Sequence, residues 1–428
     1  MDKFEKYYEA VRFIEGLSNV LSGDYMKKDP KVDESIYIKR MRYFLHLLGD
    51  PDKKFKFIHV TGTSGKGTVA TMLSEILFAS GKNVGLFTSP FATASIEKIK
   101  VNDKYIPPDE FADILEYLKP YIDKAYVNGP YGGPSYFELF FAISLIYFAR
   151  KKCDWVVAEV GCGGRYDATN IIQNPVATVI TNINYDHTHI LGKTLKKIAY
   201  DKAGIIKKGS VFFTTEERPC LLKIFEEICQ KEKVKYFFVK NKDKDTQAIN
   251  ISLATSVADY LGTGIGKKHI AAGLAKTKLP CRFEVVQKNP VVILDGAHNF
   301  SKINSTIANL KKIKYKKFFL VFSIAKNKEV EKIVKIIAPV ADHIFCTRYL
   351  VSERKCAPPK NLSEIFSRYK NPKAKITVLH DPNQALDMVL KLASPEDAIL
   401  VTGSFFLAGE LRKKWYSEEF IFKNLSSF

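Results

Sequence analysis

No stretch of the chain approaches the ~20 consecutive apolar residues that a membrane-spanning helix requires. The best candidate, Phe137 to Ala149, is too short and contains Glu138. The opening MDKFEKYYEA is polar and charged, so it does not read as a signal peptide. Cysteine is sparse: seven residues, at 153, 162, 220, 229, 281, 346 and 356, an odd number with no CxxC pair. That pattern argues against a disulfide framework and a zinc ribbon. Arginine is scarce, and neither internal repeats nor low-complexity segments occur beyond a lysine bias. These absences predict a soluble cytoplasmic protein that needs no membrane.

What is present is ordinary for a globular chain, with one exception. The 428 residues are 46% apolar and 26% charged, enough for a sizeable core and too apolar for disorder. The exception is charge: Lys plus Arg is 66 against 46 Asp plus Glu, a formal +20. Such a balance first suggests nucleic acid or anionic ligands. However, the excess is lysine, spread as Lys151-Lys152, Lys207-Lys208, Lys267-Lys268, Lys311-Lys312 and Lys316-Lys317. Base and phosphate forks favour Arg. The pattern therefore reads as solvated faces, and no nucleic-acid partner is expected.

Short apolar runs alternate with Gly-rich turns and helical periodicity. Phe57–Val60, Asn83–Phe87, Trp155–Val160 and Ala177–Thr181 are strand candidates. A second such rhythm comes at Val291–Leu294, Phe318–Phe322, His343–Cys346, Lys375–Leu379 and Ile399–Val401. This predicts an α/β protein. A large parallel-sheet, phosphate-loop ATPase domain would span 1–281, and a smaller Rossmann-like domain 282–428, divided near Pro280.

Gly62-Thr63-Ser64-Gly65-Lys66-Gly67-Thr68 follows a strand and opens a helix. Glycines let backbone N–H groups approach phosphate, Lys66 adds charge, and the Thr68 hydroxyl can ligate Mg²⁺. The spacing departs from the strict GxxxxGK[ST] loop, because Gly67 separates Lys66 from Thr68. A second loop, Gly262-Thr263-Gly264-Ile265-Gly266-Lys267, lacks a preceding strand and reads as a helix-to-helix turn. Glu159 ends an apolar strand, where a carboxylate can hold Mg²⁺ or sit in a buried ion pair. Ser135-x-x-Glu138 is a capping box before an apolar helix.

The loop variant GTSGKGT, together with a series of downstream motifs, resembles the folylpolyglutamate synthase and dihydrofolate synthase family of Mur-ligase-like ATP-dependent amide ligases. The similarity runs from about Met41 to Lys413. It includes Leu47–Pro51, Thr88-Ser89-Pro90, Ser135–Glu138, Glu159–Asn170, Asp186-His187-Thr188, Lys202–Ile205, Asp295–Asn299 and Thr402-Gly403-Ser404. Muramyl ligases and cyanophycin synthetase usually carry Thr directly after the lysine, so Gly67 favours the folate branch. A Mur-type or cyanophycin-like ligase on another carboxylate acceptor is the alternative.

The resemblance implies a cytoplasmic, monomeric ligase joining L-glutamate to a folate, with dihydropteroate as a second acceptor left open. It implies ATP bound by residues 62–68, Arg282 and Asp295. Two Mg²⁺ ions are implied, with Thr68, Glu159 and His187 as ligands. Lys66, Lys202, Asp295 and His298 would carry the catalysis, with Lys202 resembling a lysine that is carbamylated to N6-carboxylysine. Substrate contacts would fall to Ser89, Phe137, Glu138, His298 and Ser404. On residue chemistry alone, His187 reads equally as structural, Lys202 as a surface lysine, Glu138 as a cap, and Arg282 as one side of an inter-domain salt bridge. Asp186 would orient its loop, and Asn299 would cap the next helix. Lys328 is the counterpart of a family lysine. Cys281 stands where the family has Gly, which puts the turn before Arg282 in question. Ala94–Ile99 departs from the family's Arg-x-x-Glu-Arg-Ile and leaves the acceptor range open.

Overall fold

The computed structural model describes residues 4–17, 35–240, 245–262, 264–351 and 355–428. The chain divides into two compact units, Met1–Pro90 with Ser95–Lys278, and Phe91–Ala94 with Leu279–Phe428. The second unit begins three residues before the expected division. It also takes four residues from far upstream. No described helix is long and apolar enough to cross a membrane.

The first unit is built on an eight-stranded sheet of β1 (Lys56–Thr61), β2 (Val84–Phe87), β3 (Ile99–Val101), β4 (Lys104–Tyr105), β5 (Trp155–Glu159), β6 (Ala177–Ile180), β7 (Val211–Thr214) and β8 (Lys235–Phe238). The order is β4-β3-β2-β5-β1-β6-β7-β8, parallel except for the β2-β3-β4 edge. Each of β2, β5, β6 and β7 is buried along its whole length, as strands covered on both faces must be. The chain leaves β1 for β2 on one side of it and later places β6 on the other. That reversal opens a crevice at the C-terminal end of β1. The register pairs Val60 with Glu159 and Thr61 with Ile180, so three strand ends meet there.

The helix Lys66–Ala79 starts at this point and is buried from Val69 through Leu77. Helices Thr246–Leu261 and Lys267–Lys276 pack over it. Gly273 permits the close approach, since a Cβ there would lie 2.5 Å from the Ile76 backbone nitrogen. The Gly262–Lys267 loop joins these two helices, as expected; its Thr263 lies outside the described residues.

The second unit holds β9 (Glu284–Lys288), β10 (Val291–Leu294), β11 (Phe318–Phe322), β12 (His343–Cys346), β13 (Lys375–Val378) and β14 (Ala398–Thr402), ordered β13-β12-β11-β14-β10-β9. Only β9 is antiparallel to its neighbour. One of its largest fully buried side chains is charged. Arg412 is fully enclosed and donates to both Glu284 oxygens from Nε at 2.9 and 3.0 Å. Nη1 reaches Thr93 Oγ1 at 3.2 Å, and Nη2 reaches the Ser427 carbonyl at 2.5 Å. One guanidinium thus ties β9, the C-terminus and the segment 91–94 into one body. Gly409 complements it, because a Cβ there would lie 2.1 Å from the Ala92 carbonyl oxygen.

Breaking a buried ion pair by removing one partner typically costs about 3–5 kcal/mol. Arg412→Ala is expected to destabilise the second unit by that amount in denaturant unfolding. A loss below about 1 kcal/mol would show that the cluster does not hold the unit together.

Candidate active site

The phosphate loop turns sharply at the end of β1. Gly65 caps the helix Lys66–Ala79 with φ +81°, in the left-handed region that costs glycine least. The loop is bolted to the segment after β6. Thr63 N–H donates to the Asn182 carbonyl at 3.0 Å, and Ser64 N–H to Asn182 Oδ1 at 3.0 Å. Thr181 Oγ1 donates to the Ser64 carbonyl at 2.5 Å. Ser64 Oγ is buried and has no hydrogen-bond partner, an open polar atom on a loop shaped for phosphate.

Two lysines converge on this turn. Lys66 Nζ lies 4.0 Å from Glu159 Oε1. Lys202, on the helix Leu195–Lys202, is buried, and its Nζ donates to the Gly62 carbonyl at 3.0 Å. It is therefore not a surface lysine. Burial, reinforced by Lys66, lowers its pKa to about 8. Gly62, Thr63, Lys66, Gly161, Cys162, Gly163, Asp186, His187, Leu191 and Lys202 line one cleft of about 250 Å³. Burial pushes the Cys162 thiol up to about 12, so it stays protonated.

Glu159 is buried at the end of β5 and accepts the Ser89 N–H at 3.1 Å on Oε2. A Cβ on Gly67 would approach the same oxygen to 3.1 Å, so the inserted glycine makes room for this carboxylate. No three His, Cys, Asp or Glu side chains gather as a metal-holding group among the described residues. The oxygen donors Glu159 and Thr68 nevertheless fit Mg²⁺, which commonly takes one or two carboxylates and completes its shell with phosphate and water. His187 adopts φ +49° at the start of the short helix Thr188–Leu191, and its N–H donates to Asp186 Oδ1 at 3.0 Å. Asp186 orients the loop, as expected.

Several expected substrate residues have structural partners. Glu138 accepts the Ser135 N–H at 2.7 Å in a capping box and the Arg40 Nε–H at 2.9 Å. It is a buried, paired carboxylate rather than an open ligand. Phe137 lies against the 161–163 turn, where a Cβ on Gly161 would fall 2.6 Å from its Cζ. In the second unit, Asp295 spends both oxygens on backbone, accepting from Phe283 N–H at 2.8 Å and Ala297 N–H at 2.7 Å. Burial raises its pKa. Ser404 Oγ accepts from Phe406 N–H at 3.2 Å, leaving its proton to offer. His298 Nδ1 lies 2.8 Å from the Gly296 carbonyl oxygen and Nε2 3.3 Å from Lys302 Nζ. Asn299 caps the helix Phe300–Leu310. Exposed Arg282 stacks on Phe405 at 4.7 Å from the ring centroid. Cys281 holds φ +53°, so the left-handed turn that Gly would favour persists without it.

One residue of the site carries no signal in the sequence. Asn250, buried on the helix Thr246–Leu261, presses its amide on Gly65; a Cβ there would meet Asn250 Oδ1 at 2.6 Å. It lies 185 positions after the loop, and nothing local marks it.

Known proteins resemble this chain in sequence and fold. Residues 281–405 match the Mur ligase glutamate ligase domain. The dihydrofolate synthase/folylpolyglutamate synthase of Bacillus subtilis is 29% identical, over 88% of this chain and 94% of that protein. The solved folylpolyglutamate synthase of Thermotoga maritima is 27% identical and covers 96% of both chains with a TM-score of 0.79. That of Mycobacterium tuberculosis, complexed with ADP and AMPPCP, shares the fold at TM-score 0.81 and 23% identity, covering 88% of this chain and 95% of that one. Fold and site together define a Mur-ligase-like, ATP-dependent amide ligase. Within that class, the chain is similar over most of its length to folylpolyglutamate synthases and dihydrofolate synthases.

Two outcomes are expected. Gly65→Ala sets a Cβ against Asn250 at an unfavourable φ and should raise KM for ATP about tenfold or more in an ADP-release assay. Lys202 has an ordinary pKa of 10.5 and a folded value near 8, so the unfolded chain binds more protons between those values. Stability from this group therefore rises with pH across that window. Lys202→Met should melt above the wild type by the widest margin near neutral pH, with the margin closing towards pH ~10, while losing activity.

Proposed function

We propose that this ligase adds L-glutamate to a folate: tetrahydrofolyl-(Glu)n, ATP and L-glutamate give tetrahydrofolyl-(Glu)n+1, ADP and phosphate. The observation that supports it best is the convergence of Lys66 and buried Lys202 on a glycine turn that also carries an open Ser64 hydroxyl. Phosphoryl transfer is largely positioning and charge neutralisation, and this turn supplies both.

The acceptor's terminal carboxylate oxygen attacks the γ-phosphorus, and the bond to the ADP oxygen breaks. The N–H groups at the start of the helix that follows the loop would face the phosphates, and Lys66 would balance the spreading negative charge. The amine of glutamate then attacks the acyl carbon. The amide bond forms, phosphate leaves with its electron pair, and the amine gives up a proton. Bound Mg²⁺ would neutralise phosphate charge, held by Glu159 and Thr68, with His187 available from the same cleft as Lys66.

Lys202 supports carbamylation in one further respect. At a pKa near 8 a share of its amine is neutral at working pH, the form whose nitrogen adds to CO₂ with loss of a proton. The second unit would receive the amino acid, with His298 and the Ser404 proton as its polar contacts. Asp295 acts there as the brace of the turn between Phe283 and Ala297.

ADP release should require both a folate and L-glutamate when tested across dihydropteroate, tetrahydrofolate and its mono- and polyglutamates. Release with UDP-muramyl acceptors and none with folates would defeat the proposal. Intact-protein mass under bicarbonate should show a 44 Da increase (about one CO₂) that Lys202→Met abolishes.

A further inference from the structure

We infer that His59 is a positioning residue of the ligation, acting through Thr169 on the wall of the phosphate cleft. Its kinetic consequence rests on the proposed folate ligation; its hydrogen-bond state does not. His59 lies inside β1, three residues before the loop, and is fully buried. Side chains two apart on a strand share a face. Thr61 on that face donates from Oγ1 to the Gly163 carbonyl at 2.6 Å, and His59 Nε2 meets Thr169 Oγ1 at 2.8 Å. One face of the strand that carries the phosphate loop therefore also holds the 163–169 segment.

Proton accounting gives the chain a direction. Thr169 Oγ1 has one proton and donates it to Asp167 Oδ1 at 2.5 Å. The contact with His59 must then be an Nε2–H donation, which leaves Nδ1 as the unprotonated nitrogen. Nδ1 is buried and has no hydrogen-bond partner. A proton there would create a buried cation without a hydrogen-bond acceptor, and burial, reinforced by the Lys207 ammonium, lowers the imidazole pKa to about 3. The ring is a fixed neutral donor.

The chain ends at the cleft. Asp167 Oδ1 also accepts the Thr169 N–H at 3.0 Å, and Oδ2 accepts the Cys162 N–H at 2.9 Å. Gly161, Cys162 and Gly163 line the cleft beside Lys66 and Lys202. The next residue extends the hold: Asn170 Nδ2 donates to the Arg165 carbonyl at 2.9 Å and to the Gly204 carbonyl at 3.2 Å, just past Lys202. Residues 167–170 thus brace two sides of the site, and His59 fixes them from the sheet. Phe57, Ile58 and Val60 on the same strand are buried and apolar, so a core-filling role alone would not call for an imidazole with an orphaned nitrogen.

Small misplacements in an active site cost up to about 100-fold in rate. His59→Leu and Thr169→Val should each lower kcat for folate- and glutamate-dependent ADP release about 10- to 100-fold, with KM for ATP changed by less than about threefold. His59→Gln, whose amide nitrogen reaches the Nε2 position, and Thr169→Ser should restore kcat to within about threefold of wild type. In the wild type, ¹⁵N spectra should show His59 as the neutral Nε2–H tautomer, without titration between about pH 5.5 and 9. The inference is overturned by kcat within about twofold of wild type in both His59→Leu and Thr169→Val, by equal losses in the conservative and disruptive variants, or by an Nδ1–H or titrating imidazole. Absence of ADP release in the wild type would instead count against the folate ligation, and the spectrum would still decide the chain.

Discussion

Two ammonium groups held at one glycine turn set the terms for the rest of the first unit. Lys66 and Lys202 line the same cleft, and the Glu159 carboxylate stands 4.0 Å from Lys66. Burial of an ammonium, reinforced by the like charge of Lys66, opposes folding, which is why Lys202 falls to a pKa near 8. Such a site is unfavourable alone and favourable around a polyphosphate. The backbone makes the same point, since the helix Lys66–Ala79 begins at this turn and the N-terminus of a helix favours negative charge. The +20 of the whole chain is a different matter, a lysine-rich surface on a protein whose ligands are anions.

Holding that arrangement requires a rigid surround, and the parallel sheet supplies it. β1 ends between β5 and β6, so Glu159 and the Thr181–Asn182 segment reach the loop from opposite sides. The 161–170 segment closes the cleft with side-chain bonds to backbone: Thr61 to Gly163, Asp167 to Cys162, and Asn170 to Arg165 and Gly204. The second unit is built by the same logic around a charge. Arg412 has no exposure, and its neutralising partner and its remaining acceptors come from β9, residue 93 and residue 427.

Much of this is legible in the sequence because the signals are local. A strand followed by a glycine loop and a helix can be read in one pass. So can Glu159 at the end of an apolar run, the Ser135–Glu138 capping box, and Asn299 before its helix. The roles that change are those decided by distant partners. Glu138 reads as a cap or a ligand; Arg40, 98 positions away, makes it a buried ion pair. Asp295 reads as a nucleotide contact; the Phe283 and Ala297 N–H groups make it a turn brace. Cys281 reads as a disruption; its backbone keeps the left-handed turn.

Local sequence is sufficient for the alternation of strands and helices, the phosphate loop and the chemistry of its side chains. Periodicity, glycine placement and residue type act within a few positions and need no partner to be recognised. Folding in three dimensions is what packs Asn250 on Gly65, joins residues 91–94 to the second unit, and buries Lys202 beside Gly62. Each of these depends on packing, hydrogen bonds or desolvation among groups far apart in the chain. Burial is a property of the folded assembly, and no window of sequence contains it.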